Sequence, residues 1–210
     1  MTTFPHEEAV ELVGALRELI ATVRVVDAPI EVLSAARLLI DDARAVLDPH
    51  RYVGQIAQGA LEGEGIGLRT PFVGTPNEFF PYSPIVGPLN PVAPPVRMWA
   101  DDALRVHGAV TLDAPYNGPP GLVHGGVLAL IFDELLGACA VVNQCPGFTG
   151  TLTVKYLRGT PIRTPLTMEA WIDRVDGRKT FVSGELRNGA IVTATATGIF
   201  ISVDHQIVKQ

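Results

Sequence analysis

Cysteine is scarce in this chain: Cys139 and Cys145 are the only two among 210 residues. Two thiols build no disulfide framework, and one of them lies inside a long apolar run, so the composition suits a reducing compartment and a cytoplasmic location is expected. Basic residues are also few. Sixteen Lys and Arg against 22 Asp and Glu leave a formal net charge of -6 and a pI near 5.3, the reverse of the footprint a general nucleic-acid binder carries. The four serines, at 34, 83, 183 and 202, include none in a Gly-x-Ser-x-Gly elbow, which excludes the nucleophile of an α/β-hydrolase. His6, His50, His107, His124 and His205 show no His-x-x-x-His spacing and neither cysteine belongs to a pair, so no zinc site and no cofactor are expected. No run approaches the ~18 apolar residues of a membrane span. The opening Met1-Thr2-Thr3-Phe4-Pro5-His6-Glu7-Glu8 has no basic region ahead of an apolar one, so no leader is expected either.

With 47% hydrophobic residues and 18% charged ones, the chain can bury a sizeable core. Its most informative stretch is Gly121-Leu122-Val123-His124-Gly125-Gly126, which runs straight into Val127 to Val142. Paired glycines after a histidine permit a sharp turn, and the helix they open exposes backbone N–H groups where an anion or oxyanion can sit. That helix is apolar on nearly every side, the mark of a helix wrapped by other structure. Asp133 and Glu134 interrupt it. A buried unpaired carboxylate is costly, so at least one of them is expected to face a cleft or a partner; being ~100° apart around the helix, the two face different surroundings.

Residues 6 to 48 read as a helical hairpin. An apolar stripe through Leu12, Leu16, Leu19 and Val23 predicts one helix, and Asp27 with Pro29 signals the start of a second, whose stripe runs through Val32, Ala36, Leu39, Ala43 and Val46 and can pack on the first. The chain then divides at 1–48, 49–95 and 96–210. The middle segment is rich first in glycine and then in proline, a lid or wrap more than a plain linker because Phe79, Phe80, Tyr82, Ile85 and Val86 are apolar. Gly63-Glu64-Gly65-Ile66-Gly67 lacks the spacing and the preceding strand of a phosphate loop. Strands are expected over 96–101, 104–112, 149–158, 166–175, 179–187 and 190–203, with type I′ hairpin turns at Asp176-Gly177 and Asn188-Gly189. In the last strand Ala194, Ala196 and Gly198 share a face, leaving room for a helix to lie close. Strand, apolar helix, then antiparallel meander make an α+β fold in which a sheet wraps one helix.

His124-Gly125-Gly126, Asp133 nine residues after the histidine, and the Tyr156-Leu157-Arg158 and Gly177-Arg178-Lys179-Thr180-Phe181-Val182 stretches together resemble the hotdog-fold acyl-CoA thioesterases of the PaaI-like group. The resemblance covers roughly residues 95 to 203. It implies a hotdog fold, a homodimer or dimer of dimers, an acyl-CoA substrate and hydrolysis without metal. It also implies that His124 shapes the helix-start turn or meets the thioester, that Asn117 is an upstream orienting amide, and that a hydroxyl from Thr149 or Thr151 stands near the carboxylate.

The residues permit this chemistry on their own terms. Thioester hydrolysis needs an oxyanion donor, suited to the Gly125 N–H with Gly126 beside it, and a carboxylate that activates water or attacks directly, suited to Asp133. Glu134 competes for that second role. About 12 Å of helix rise separates Gly125 from Asp133, so the two act on one carbonyl only if they come from different subunits. Arg158, Arg178 and Lys179, with Lys155 and Arg163, can meet coenzyme A phosphates. Two rivals share the fold: a hydratase, which would place its histidine and acid differently, and an acyl-CoA-binding sensor or carrier without turnover.

Overall fold

The computed structural model describes residues 7–54, 56, 58 and 75–202; the glycine-rich Gly63–Gly67 stretch lies outside them. Helices α1 (Glu7–Val25) and α2 (Ile30–Leu47) open the chain. Glu7 and Glu8 in the first turn of α1 and Arg24 in its last complement the helix dipole. The face that α1 buries is rotated from the expected stripe. Val13 is its buried residue and Leu12, Leu19 and Val23 are exposed, because Arg17, one turn on from Val13, donates to the carbonyls of Gly87 and Asn90 at 2.7 and 2.8 Å. Pro29, not Asp27, occupies the cap position of α2, and no side chain caps it. The expected packing of α2 on α1 is not seen either: α2 buries no residue, and Val32, Leu39 and Val46 are 54%, 70% and 70% exposed.

A short helix, α3 (Pro76–Phe79), starts the described part of the proline-rich segment, capped by the reciprocal Thr75 and Glu78 pair. From there the chain lies against the body, with Phe79, Ile85, Val86, Ala93 and Val96 buried. Asn77 fastens it: its amide donates to the carbonyls of Val86 and Val96 and accepts from the Met98 N–H. One side chain thus satisfies three backbone groups that a segment without regular structure would otherwise leave open.

The remainder is one sheet and one helix. Strands β1 (Arg97–Ala100) and β2 (Val106–Thr111) precede helix α4 (Gly125–Val142), and β3 (Phe148–Tyr156), β4 (Pro165–Asp176), β5 (Lys179–Asn188) and β6 (Ile191–Ile201) follow it. The sheet is antiparallel in the order β1-β2-β4-β5-β6-β3. The expected meander therefore holds for β4 to β6 only, while β3 crosses over to pair with β6 and becomes an edge. Both hairpins close over two residues, Gly177-Arg178 between Asp176 and Lys179 and Gly189-Ala190 between Asn188 and Ile191. Only the first central residue of each has positive φ, +55° and +56°, which is the II′ pattern and not the expected I′.

Ile131, Phe132, Leu135 and Leu136 of α4 are fully buried under Val182, Leu186, Ala194 and Phe200, each such side chain contributing about 1.5–3 kcal/mol. Two glycines set the approach. A Cβ on Gly184 would stand 2.9 Å from Leu136, and one on Gly198 3.1 Å from it. This is the hotdog arrangement, a sheet curved around a single apolar helix. By length and composition α4 could also cross a membrane, contrary to the expectation that no run comes near that length. Its place under the sheet is that of a core helix.

Candidate active site

The turn that starts α4 is built by its own loop. Asn117 donates both amide hydrogens inward, to the carbonyls of Pro119 and Leu122 at 2.8 Å each, and the Gly118 N–H also reaches Leu122. A Cβ on Gly118 would stand 2.8 Å from His124 Cα, so a glycine is needed for the loop to close. The amide expected to orient water or thioester is occupied in shaping this loop. His124 then caps the helix: its N–H donates to Tyr116 O, and its Nδ1 accepts from the Gly126 N–H at 3.0 Å, a bond that puts the proton of the neutral ring on Nε2.

That leaves one donor. The N–H of Val127 is taken by the His124 carbonyl and that of Gly126 by the His124 ring, while the N–H of Gly125 has no partner among the described residues. It points from the positive end of an 18-residue helix, where a developing negative charge is favoured. The sheet holds the same residue from the other side. Tyr156 Oη donates to the Gly125 carbonyl at 2.8 Å.

Two turns along α4, Thr149 Oγ1 donates to Asp133 Oδ1 at 2.9 Å. The second carboxylate oxygen has no hydrogen-bond partner among the described residues and the side chain is half-buried, a setting suited to receiving a proton from water or meeting an electrophile. Thr151 cannot share the task. A bulge at Gly150 sets Thr149 opposite Phe200 and Thr151 opposite Ile199, and since paired residues share a face, Thr149 turns with Phe200 toward the helix and Thr151 away from it. An unbroken strand would put both threonines on one side and leave either free to serve; the extra residue leaves only Thr149.

Glu134 faces the proline-rich segment. Ser83, fully buried, accepts from the N–H groups of Ile85 and Val86 and donates to Glu134 Oε1 at 3.2 Å. Burial pushes the Glu134 carboxyl up to about 7, with the Ser83 hydrogen bond acting the other way and the Asp133 charge adding to the rise. Of the two carboxylates, Asp133 is thus the accessible one and Glu134 the anchor of a neighbouring segment. Ser83 was not legible as its partner, being 51 positions away in a stretch without periodicity.

The basic candidates fall at two ends. Arg178 and Lys179, with Asp176 and Ile201, line an open cavity of about 350 Å³. Lys179 pairs with Ile201, which pairs with Phe148, so the basic turn lies two strands, about 10 Å, from the row where Thr149 begins. Arg158 is exposed at the far end of β3, near Tyr156 and Gly125. Lys155 is exposed as well, and Arg163 is paired with Asp113. Among the described residues no group of three His, Cys, Asp or Glu side chains is placed to hold a metal ion.

Comparison with known proteins bears on this helix and sheet. Residues 120–195 match the model of the thioesterase superfamily. The family likeness thus runs from the loop ahead of α4 into β6. A crystal structure of a thioesterase superfamily protein superposes on 95% of this chain and 97% of its own with a TM-score of 0.79 at 28% identity, so the likeness includes the segments ahead of the domain. Acyl-coenzyme A thioesterase THEM4 of Xenopus laevis is 36% identical over 93 residues, 42% of this chain and 41% of that protein. Acyl-coenzyme A thioesterase THEM5 of Homo sapiens is 28% identical over 89 residues, 41% of this chain and 36% of that protein. The chain thus spans about two fifths of the length of the curated relatives it matches.

Proposed function

We propose that this protein hydrolyses an acyl-CoA thioester to a free acid and coenzyme A. The observation that carries the reading is the pairing, on one helix, of an N–H at Gly125 that has no partner among the described residues with a carboxylate at Asp133 whose orientation Thr149 fixes. The N–H is what a thioester carbonyl needs as it becomes an oxyanion. The free oxygen of Asp133 is what water needs to lose a proton, or what the carbonyl meets if the carboxylate attacks first. Names of the relatives that share this domain point to the same substrate class.

The two groups are ~12 Å apart along α4 and act on one carbonyl only when contributed by different subunits. A homodimer, or a dimer of dimers, is therefore part of the proposal. The outer edge of β3, unpaired among the described residues, carries Thr149 at one end and Tyr156 at the other and suits a two-fold that brings the Gly125 end of one chain to the Asp133 end of its partner. The Arg178–Lys179 turn, on the Asp133 side, is the proposed contact for coenzyme A phosphates, and the location proposed is the cytoplasm. Thiol release from short, medium, long and aryl acyl-CoAs tests the activity, with Asp133→Asn alongside. The reading expects turnover of at least one member and a loss of at least about 100-fold in the Asn protein. Tight binding of acyl-CoA with no thiol released from any member contradicts it and favours a carrier or sensor.

A further inference from the structure

Strand β3 touches α4 at both places the proposed reaction uses: Thr149 at its start reaches Asp133, and Tyr156 at its end reaches Gly125. The second contact is closer than one hydrogen bond implies. A Cβ added to Gly125 would stand 3.3 Å from Cζ of the Tyr156 ring and 3.4 Å from its oxygen, so the ring already lies against the bare Cα while the phenol holds the carbonyl. Tyr156 is 54% exposed, but its backbone is firmly held. Its strand partner is the buried Ala194. Immediately after it the N–H groups of Leu157 and Arg158 both donate to Thr193 O, and Thr193 is locked by the buried hydroxyl of Thr160.

Gly125 needs such a brace. It is the first residue of α4, where no intrahelical bond holds the N–H, and as a glycine it is the residue type least confined by its own sterics. The donor left free for an oxyanion is thus on the backbone unit with the most freedom to turn. We propose that Tyr156 is a positioning residue, which fixes the Gly125 backbone and with it the direction of the unpartnered N–H, without touching the reacting carbonyl. The inference rests on the thioesterase reading above for its catalytic consequence, and on the Gly125 contact for its structural one. It gives β3 a double task, setting the carboxylate with a threonine and the oxyanion donor with a tyrosine.

Tyr156→Phe keeps the ring against Gly125 and removes only the phenol bond. Outright loss of an oxyanion donor costs about 10²–10³ in kcat, so loosening one is expected to lower kcat about tenfold, with KM within twofold and the thermal midpoint unchanged. A Phe protein with kcat within twofold of the parent overturns the proposal, as does a loss that appears in KM alone. If the parent hydrolyses no thioester, the thioesterase reading falls and the brace is judged by the Gly125 amide resonance. A shifted, faster-exchanging amide in Tyr156→Phe supports it, and an unmoved one overturns it.

Discussion

Thr149 donates its hydroxyl to Asp133 Oδ1 across 2.9 Å, while Thr151, two residues on, is turned to the opposite face of the sheet by the bulge between them. The two threonines are chemically alike, so the backbone alone separates their roles. Thr149→Val, which keeps shape and deletes the hydroxyl, is expected to lower kcat about tenfold, a fraction of the 10²–10⁴ a general acid or base itself supplies. Thr151→Val is expected to stay within twofold. Steady-state kinetics on the two variants check this, and equal losses would contradict the bulge argument.

Glu134 makes stability depend on pH with a sign opposite to that of most carboxylates. Its folded value of about 7 lies above the ordinary 4.5, so between those limits the folded protein binds more protons than the unfolded one. Stability is then fully present below pH 4.5 and declines as pH rises through 7. At ~1.36 kcal/mol per unit the decline amounts to about 3 kcal/mol. Glu134→Gln keeps an acceptor for Ser83 and removes the titration. Urea unfolding at pH 4.5 and pH 8 is expected to show the Gln protein gaining about 3 kcal/mol on the parent between the two; a constant difference would refute the assignment.

Gly184 lets α4 approach the sheet at Leu136. A Cβ there meets Leu136 Cδ2 at 2.9 Å and the Glu169 carbonyl at 3.0 Å, and the carbonyl belongs to a paired strand that cannot retreat. Gly184→Ala is expected to cost about 1–3 kcal/mol by overpacking and Leu136→Ala about 2–5 by cavity formation. In the double variant the new methyl enters part of the cavity, so the two losses are expected to fall short of additive by at least about 0.5 kcal/mol. Strict additivity, measured by denaturant unfolding, would separate the two sites.

The two cysteines differ in setting. Cys139 is buried in α4 and burial pushes its thiol up to about 12, whereas Cys145 is partly exposed. Alkylation at pH 8 is expected to modify one thiol of the native protein and two in urea. Rapid modification of both in the native state would mean that α4 is not covered as described.

Much of this was legible in the sequence, because α4 and the hairpins are specified by neighbours in the chain. The glycine pair after His124 marked the helix start, and glycines after Asp176 and Asn188 marked the turns, though not their type. Asp133 and Thr149 were both nameable from the motif. What stayed hidden depends on pairings between distant segments. The placement of β3 beside β6 has no local signal, and neither has the bulge at Gly150, which decided between Thr149 and Thr151. Ser83 as the partner of Glu134 and Arg17 as the anchor of α1 were equally invisible, since each binds a segment that shows no periodicity. The apolar stripe of α2 predicted a buried face, yet every residue of it is exposed. Periodicity reports that a face is apolar, not what covers it.

The central claim is that one reaction centre takes its oxyanion donor from one chain and its carboxylate from another, and mixed dimers test it most directly. Gly125→Pro deletes the N–H at a position whose backbone suits proline, the first turn of a helix after an extended His124 at φ -64° and ψ 132°; its Cβ would stand 3.3 Å from the Tyr156 ring, which must shift by a few tenths of an ångström to admit it. Asp133→Asn deletes the carboxylate charge. Each variant alone is expected to be inactive. Purified heterodimers of the two contain one centre with both defects and one with neither, so about half the parental activity per dimer is predicted. Verified heterodimers as inactive as either parent variant would show that both groups act within a single chain, and would contradict the account.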